Sequence, residues 1–204
     1  SIVLFEKCVR GEESKRGSVV GVDGGGDVVR RCLYAPMMPD ELPDFVRALR
    51  VRAKGFRVVY EPQALLGEDA LGESSAEFRM RVRVSLRALW TLFELRSLLN
   101  PFRYGVFAWQ LFSHKVLRYT AFMPLLALLP LSMVLAPEAV IYQLAMGAQV
   151  LFYLAALMGA LTRSPGHLLG MPWYFVLLNV ASGQAFWKFL RGHKQVIWQP
   201  RVGA

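Results

Sequence analysis

Residues 119–162 read YTAFMPLLALLPLSMVLAPEAVIYQLAMGAQVLFYLAALMGALT, and Glu138 is the one charge among them. A helix of about 20 apolar residues crosses the roughly 30 Å hydrocarbon core of a bilayer. Pro137 and Glu138 divide the stretch, which therefore predicts two spans, at about 119–137 and 139–162. Pro124 and Pro130 do not argue against the first, because membrane helices tolerate proline. A third apolar run at 172–190 contains Asn179, Ser182, Gln184 and Lys188. It reads either as a span lining a polar path or as a helix lying at the interface.

Outward from this stretch the composition changes sharply. Residues 1–118 hold 19 of the 24 Lys and Arg and 14 of the 15 Asp and Glu. The chain thus divides into a water-facing part and a lipid-facing part. Its net charge of +9 suits nucleic acid or the anionic surface of a cytoplasmic leaflet. Spans on the same chain favour the leaflet, so membrane lipids are expected as partners and nucleic acid is not. The basic flank predicts a cytosolic location for residues 1–118. Two spans return Arg163 to that side, whereas a third would place Lys188, Arg191, Lys194 and Arg201 opposite, against the same rule. Cys8 and Cys32 lack a redox or metal spacing, and His114, His167 and His193 are scattered.

Within the charged part, residues 1–16 predict a short helix. GSVVGVDGGGDVVRRCLYAP (17–36) sets two β-branched stretches around a glycine cluster. That cluster is no dinucleotide fingerprint, since the third glycine position holds Val29. From Phe45 the apolar positions recur at helical spacing until Gly55, and FRVVYEP (56–62) alternates like a strand ended by Pro62. This order predicts an α/β domain. Residues 77–100 form a basic amphipathic helix, with Leu86, Leu89, Trp90 and Phe93 on one stripe and Arg79, Arg83 and Arg87 on another face. Such helices lie in the membrane interface. Residues 102–118 mix aromatic side chains with His114, Lys115 and Arg118, a headgroup-zone pattern.

The segment ELPDFVRALRVRAKGFRVVYEPQA resembles the carboxyl half of the catalytic domain in membrane-bound family 2 glycosyltransferases, the group of cellulose, hyaluronan and poly-N-acetylglucosamine synthases. Asp44, Gly55, the strand 56–60 and Pro62 stand in the family's order, and VVGVDGGGDVVRR resembles its acceptor-side turn. The fold implied is the acceptor-side half of a GT-A glycosyltransferase domain over residues 1–78. Amphipathic interfacial helices at 79–118 and an all-α transmembrane region at 119–204 would follow. The activity implied is inverting transfer of a sugar from a nucleotide sugar to a growing β-linked glycan at the cytosolic face of a bacterial inner membrane. Accessory export subunits are partners known to such systems.

The resemblance makes Asp44 the general base toward the acceptor hydroxyl. Taken by itself, an Asp at this place is equally a helix N-cap. Pro43 stands where many relatives carry a second acid. Asp23 and Gly24 match an acceptor-contacting turn, and Asp-Gly is also an ordinary turn signal. Arg83 matches the arginine of the family's Gln-x-x-Arg-Trp motif, with Met80 and Val84 in place of its Gln and Trp; a headgroup-facing arginine is the simpler alternative. Trp109, Trp173 and Trp187 read as interfacial anchors, and Trp198 resembles a tail motif. The divalent cation implied (Mg or Mn) would be held by an Asp-x-Asp pair in a preceding nucleotide-binding half. No Asp-x-Asp occurs here, so further residues are expected upstream of Ser1. Two other readings stay open: a non-catalytic subunit that binds glycan, and a scaffold that binds anionic lipid.

Overall fold

The computed structural model describes residues 9–15, 17–22, 26–64, 74–162 and 166–194. Helix is the regular structure throughout these, and no strand occurs among them. This overturns the expected α/β domain. A strand exists only through the ladder it shares with a neighbour, and the two extended segments here share too little. Val19 N–H donates to Val58 O at 3.0 Å. Around that bond, serine hydroxyls replace ladder carbonyls: Ser18 Oγ accepts from Val58 N–H at 2.9 Å and Ser14 Oγ from Tyr60 N–H at 3.1 Å. Val28, in the other β-branched stretch, is fully exposed. The alternation is present in the sequence, and Val19 and Val20 are buried, but Val28 and Val59 meet solvent and hydroxyl groups stand where a ladder needs carbonyls.

The first full helix, α1 (Pro43–Ala53), has Leu42 as N-cap and proline in its first turn, where a missing N–H costs nothing. It ends in a Schellman motif: Gly55 N–H donates to Arg52 O at 3.0 Å and Phe56 N–H to Val51 O at 3.2 Å. Gly55 adopts φ +88°, as that closure requires. Helix α2 (Ser74–Glu94) is buried on two sides. Ala88 and Leu92 join Phe45, Leu49, Leu98, Phe107 and Leu111 in one core, while Val82, Leu86 and Leu89 pack on Ala181 and Ala185 in another. Asn100 then caps a single turn, Pro101–Tyr104, by accepting from Phe102 N–H at 2.9 Å.

Helix α3 (Val106–Thr120) contains a π-helical turn, Phe112–Val116, and meets α4 (Phe122–Leu135) at a bend of 58°. Pro124 accounts for the break, because it has no N–H to offer the carbonyl one turn earlier. Helix α5 (Val140–Leu161) and helix α6 (His167–Leu190) complete the chain. Of the described helices, α5 alone is long and apolar enough to cross a membrane by itself; α3 and α4 qualify only as a bent pair. Just 11% of the α5 window is buried inside the protein, so it is no ordinary core helix.

Helix α6 lies along α2 in the same direction. Tyr174 meets Glu77 and Arg81 at one end. At the other, Trp90 Nε1–H donates to His193 O at 2.9 Å, and Lys194 Nζ lies 3.2 Å from Asp40 and 3.4 Å from Glu94. The Asp40 bond chiefly holds the Lys194 ammonium above its ordinary pKa against the cost of burial, and Glu94 adds to it. A raised lysine pKa lends stability that is complete at neutral pH and is lost only as pH rises through the raised value.

Against α5, α6 comes close enough that a Cβ on Gly159 would stand 2.5 Å from Leu169 O and 2.9 Å from Trp173 Cβ. Gly159→Ala should therefore cost about 1–3 kcal/mol by overpacking. Gly147→Ala, on the same helix with nothing within 4 Å of the added carbon, should be neutral or stabilising. Denaturant unfolding in detergent micelles separates the two.

Candidate functional site

A cavity of about 390 Å³ opens where the charged part meets the apolar helices. Gly21 and Val22 form one edge, and the start of α1 supplies Leu42, Asp44 and Phe45. Helix α2 adds Arg81, Val84 and Ser85; α3 adds Lys115, Arg118 and Tyr119; α6 closes the far side with Phe175, Leu178, Asn179 and Ser182.

The position of Asp44 follows from its neighbours. Leu42, not Asp44, is the N-cap, so the carboxylate lies in the first turn of α1, where the helix dipole favours negative charge. Phe45, 3% exposed, anchors that turn in the core, a burial worth about 1.5–3 kcal/mol. Val22 N–H donates to Asp44 O at 3.2 Å and ties Val22 to the start of the helix. Gly21 is a close approach: a Cβ there would lie 3.3 Å from Lys115 Nζ and 3.7 Å from the Phe45 ring. Lys115, on the π-helical turn, places its ammonium 5.0 Å from the centroid of the Phe45 ring. A π-turn rotates one register of side chains off the regular helical path, and such turns are frequent at functional sites.

Arg81 is held from two sides. Its Nε donates to Glu77 Oε1 at 2.7 Å and its Nη2 to Tyr174 Oη at 2.7 Å, and Tyr174 Oη also donates to Glu77 at 3.2 Å. Burial opposes the Arg81 charge, but the Glu77 bond and the adjoining Tyr174 outweigh it, and the pKa rises. The guanidinium is a fixed cation at the cavity wall.

Asp44 thus lines the cavity, while Asp23 and Gly24 lie outside the described residues. Trp198 also lies outside them. Arg83 is not among the lining residues. It lies near Arg87, whose pKa is lowered first by burial and then by Arg83, with Asp40 opposing. Two residues along a helix is a rotation of about 200°, so Arg81 and Arg83 point to opposite sides. Sequence reasoning passed over Arg81, although its spacing with Glu77 and Ser85 marks a single helix face. Asn179 and Ser182 were visible as polar residues in an apolar run, and they prove to be cavity wall.

One carboxylate beside three cations does not fit a divalent cation. No cluster of three or more His, Cys, Asp or Glu suited to a metal occurs among the described residues. The arrangement suits an anionic group together with a hydroxyl that needs a base. No family model matches the chain, and neither a curated protein nor a solved structure matches it.

A double-mutant cycle tests the facing of the arginines. Arg81→Met with Tyr174→Phe should show a coupling of about 0.5–1.5 kcal/mol in unfolding free energy. Arg83→Met with Tyr174→Phe should show none.

Proposed function

We propose that the chain is the acceptor-binding part of a membrane glycosyltransferase, acting at the cytosolic face of a membrane that α5, at least, enters. The observation that carries the reading is that Asp44 lines a cavity with Arg81, Lys115 and Arg118 at the junction of α1 with the apolar helices. A glycan hydroxyl in that cavity donates a hydrogen bond to the Asp44 carboxylate. As its oxygen attacks the anomeric carbon of a nucleotide sugar from the face opposite the leaving group, the proton passes to Asp44 and the configuration inverts. The negative charge that gathers on the departing diphosphate is met by Lys115 and Arg118. Recognition of the nucleotide lies with residues other than those described, and no step here runs through a metal ion.

A second reading draws on the surface of the helices rather than the cavity. Phe102 is 99% and Trp109 66% exposed, among Arg96, Arg103 and Arg118. That surface suits binding to an anionic leaflet, whatever the cavity does. The scaffold reading requires indifference to Asp44 and binding that falls steeply with salt.

In the enzyme complete with its nucleotide-binding half, Asp44→Asn should reduce sugar transfer by about 10²–10⁴-fold. Membrane insertion should be unchanged, as read by flotation. Transfer within a few-fold of the unsubstituted enzyme would overturn the proposal.

A further inference from the structure

Phe175 and Asn179 line the Asp44 cavity on one side and a second cavity, of about 600 Å³, on the other. The second lies between α4 and α6 beside the start of α2. Both volumes fall in the range of about 300–1,000 Å³ usual for small-molecule sites. The two differ in chemistry. The first presents a carboxylate and three cations, and the second is walled mainly by side chains such as Phe122, Leu126, Leu129 and Val180, with no charged residue.

We propose that the acceptor hydroxyl is carried on a membrane lipid. The lipid's head, a hydroxyl with a phosphate, enters the Asp44 cavity, and its hydrocarbon chain lies between α4 and α6. This rests on the sugar-transfer reading above. Adjacency is the first support: the two cavities share Phe175 and Asn179 as lining residues, so a ligand with a polar head and a long chain has both kinds of surface within reach. Charge is the second, since Arg81 lines the Asp44 cavity as a fixed cation available to a phosphate at the head end, while the chain end has no charge to satisfy. The third is an exclusion. A glycan drawn along the second cavity would bring hydroxyls against an apolar wall that leaves most of them without partners, which is costly; a hydrocarbon chain has no such need. Gly183 bounds the space, because a Cβ there would stand 3.4 Å from the Phe122 ring, so any larger side chain grows into the gap.

In the transfer itself, the lipid hydroxyl oxygen forms a bond to the anomeric carbon of a nucleoside-diphosphate sugar. The bond from that carbon to the diphosphate oxygen breaks, its electron pair leaves on the diphosphate, and the hydroxyl proton goes to Asp44.

The probe is phosphatidylglycerol carrying a diazirine in one acyl chain, as a minor component of phosphatidylcholine vesicles that hold the full chain. After irradiation, label should concentrate on the cavity-facing residues of α4 and α6. It should fall about tenfold, the effect of roughly 1.4 kcal/mol, in Leu129→Trp and Gly183→Leu. It should persist in Leu151→Trp, on the exposed side of α5. Where a cavity variant fails to fold, Leu126→Trp decides, since Leu126 is 71% exposed at the cavity edge and tolerates bulk. Label spread over the outward face of α5 and indifferent to all three cavity variants would mean annular lipid only, and would overturn the lipid site. Asp44→Asn separates this from the reading beneath it. Transfer that depends on Asp44, with annular labelling, removes the lipid acceptor and keeps sugar transfer. Focused labelling, with transfer indifferent to Asp44, removes the acceptor proposal together with its premise and leaves a lipid site without that chemistry.

Discussion

The packing of α6 along α2 is the contact on which the rest of the molecule depends. Helix α2 belongs to the charged part of the chain and α6 to the apolar part. Ala181 and Ala185, both fully buried, present only methyl groups to Val82, Leu86 and Leu89. That smallness lets the axes approach and turns Asn179 and Ser182 toward the side where Arg81 and Ser85 lie. Polar ties close both ends of the contact, through Tyr174 with Glu77 and Arg81, and through His193 and Lys194 with Trp90, Glu94 and Asp40. Since α6 follows α2, Lys194 ends beside Asp40 and Glu94 of the charged part.

The site is built by a second core meeting this contact at an angle. Phe45 is its pivot: the ring is buried with Leu49 and Phe107, its face receives the Lys115 ammonium, and its backbone neighbour is Asp44. The carboxylate is set on a helix start instead of a loop, and cations from α2 and α3 line the same cavity. A base with fixed position and a cationic wall is what transfer between a hydroxyl and an anionic leaving group requires.

Features decided by local chemistry were legible in the sequence. Gly55 was readable as the end of α1 because the Schellman closure needs a positive φ. The apolar stripe of α2 was readable because helical spacing is a property of one segment, and Leu86 and Leu89 are indeed buried. What failed was decided between segments. Val19, Val58 and Val28 carry strand-like alternation, yet a ladder needs a partner whose presence no alternation can report. The arginines at 79, 81 and 83 alternate as they would on a strand face; on a helix their directions diverge by half a turn, so Arg81 and not Arg83 reaches the cavity. Asn179 and Ser182 left the third run open between a span lining a polar path and an interfacial helix, because hydropathy weighs a residue without asking what faces it.

Helix α6 and Asp44 line one cavity, and the proposed function requires that an acceptor be held there. Ser182, on that wall and 9% exposed, tests it most directly as Ser182→Cys, with Cys8 and Cys32 replaced. In membrane vesicles holding the complete enzyme, a membrane-impermeant thiol reagent should label this cysteine from the side that carries α1. Labelling should block sugar transfer, and acceptor should slow the labelling. Labelling from the opposite side only, or labelling that leaves transfer intact, would contradict it.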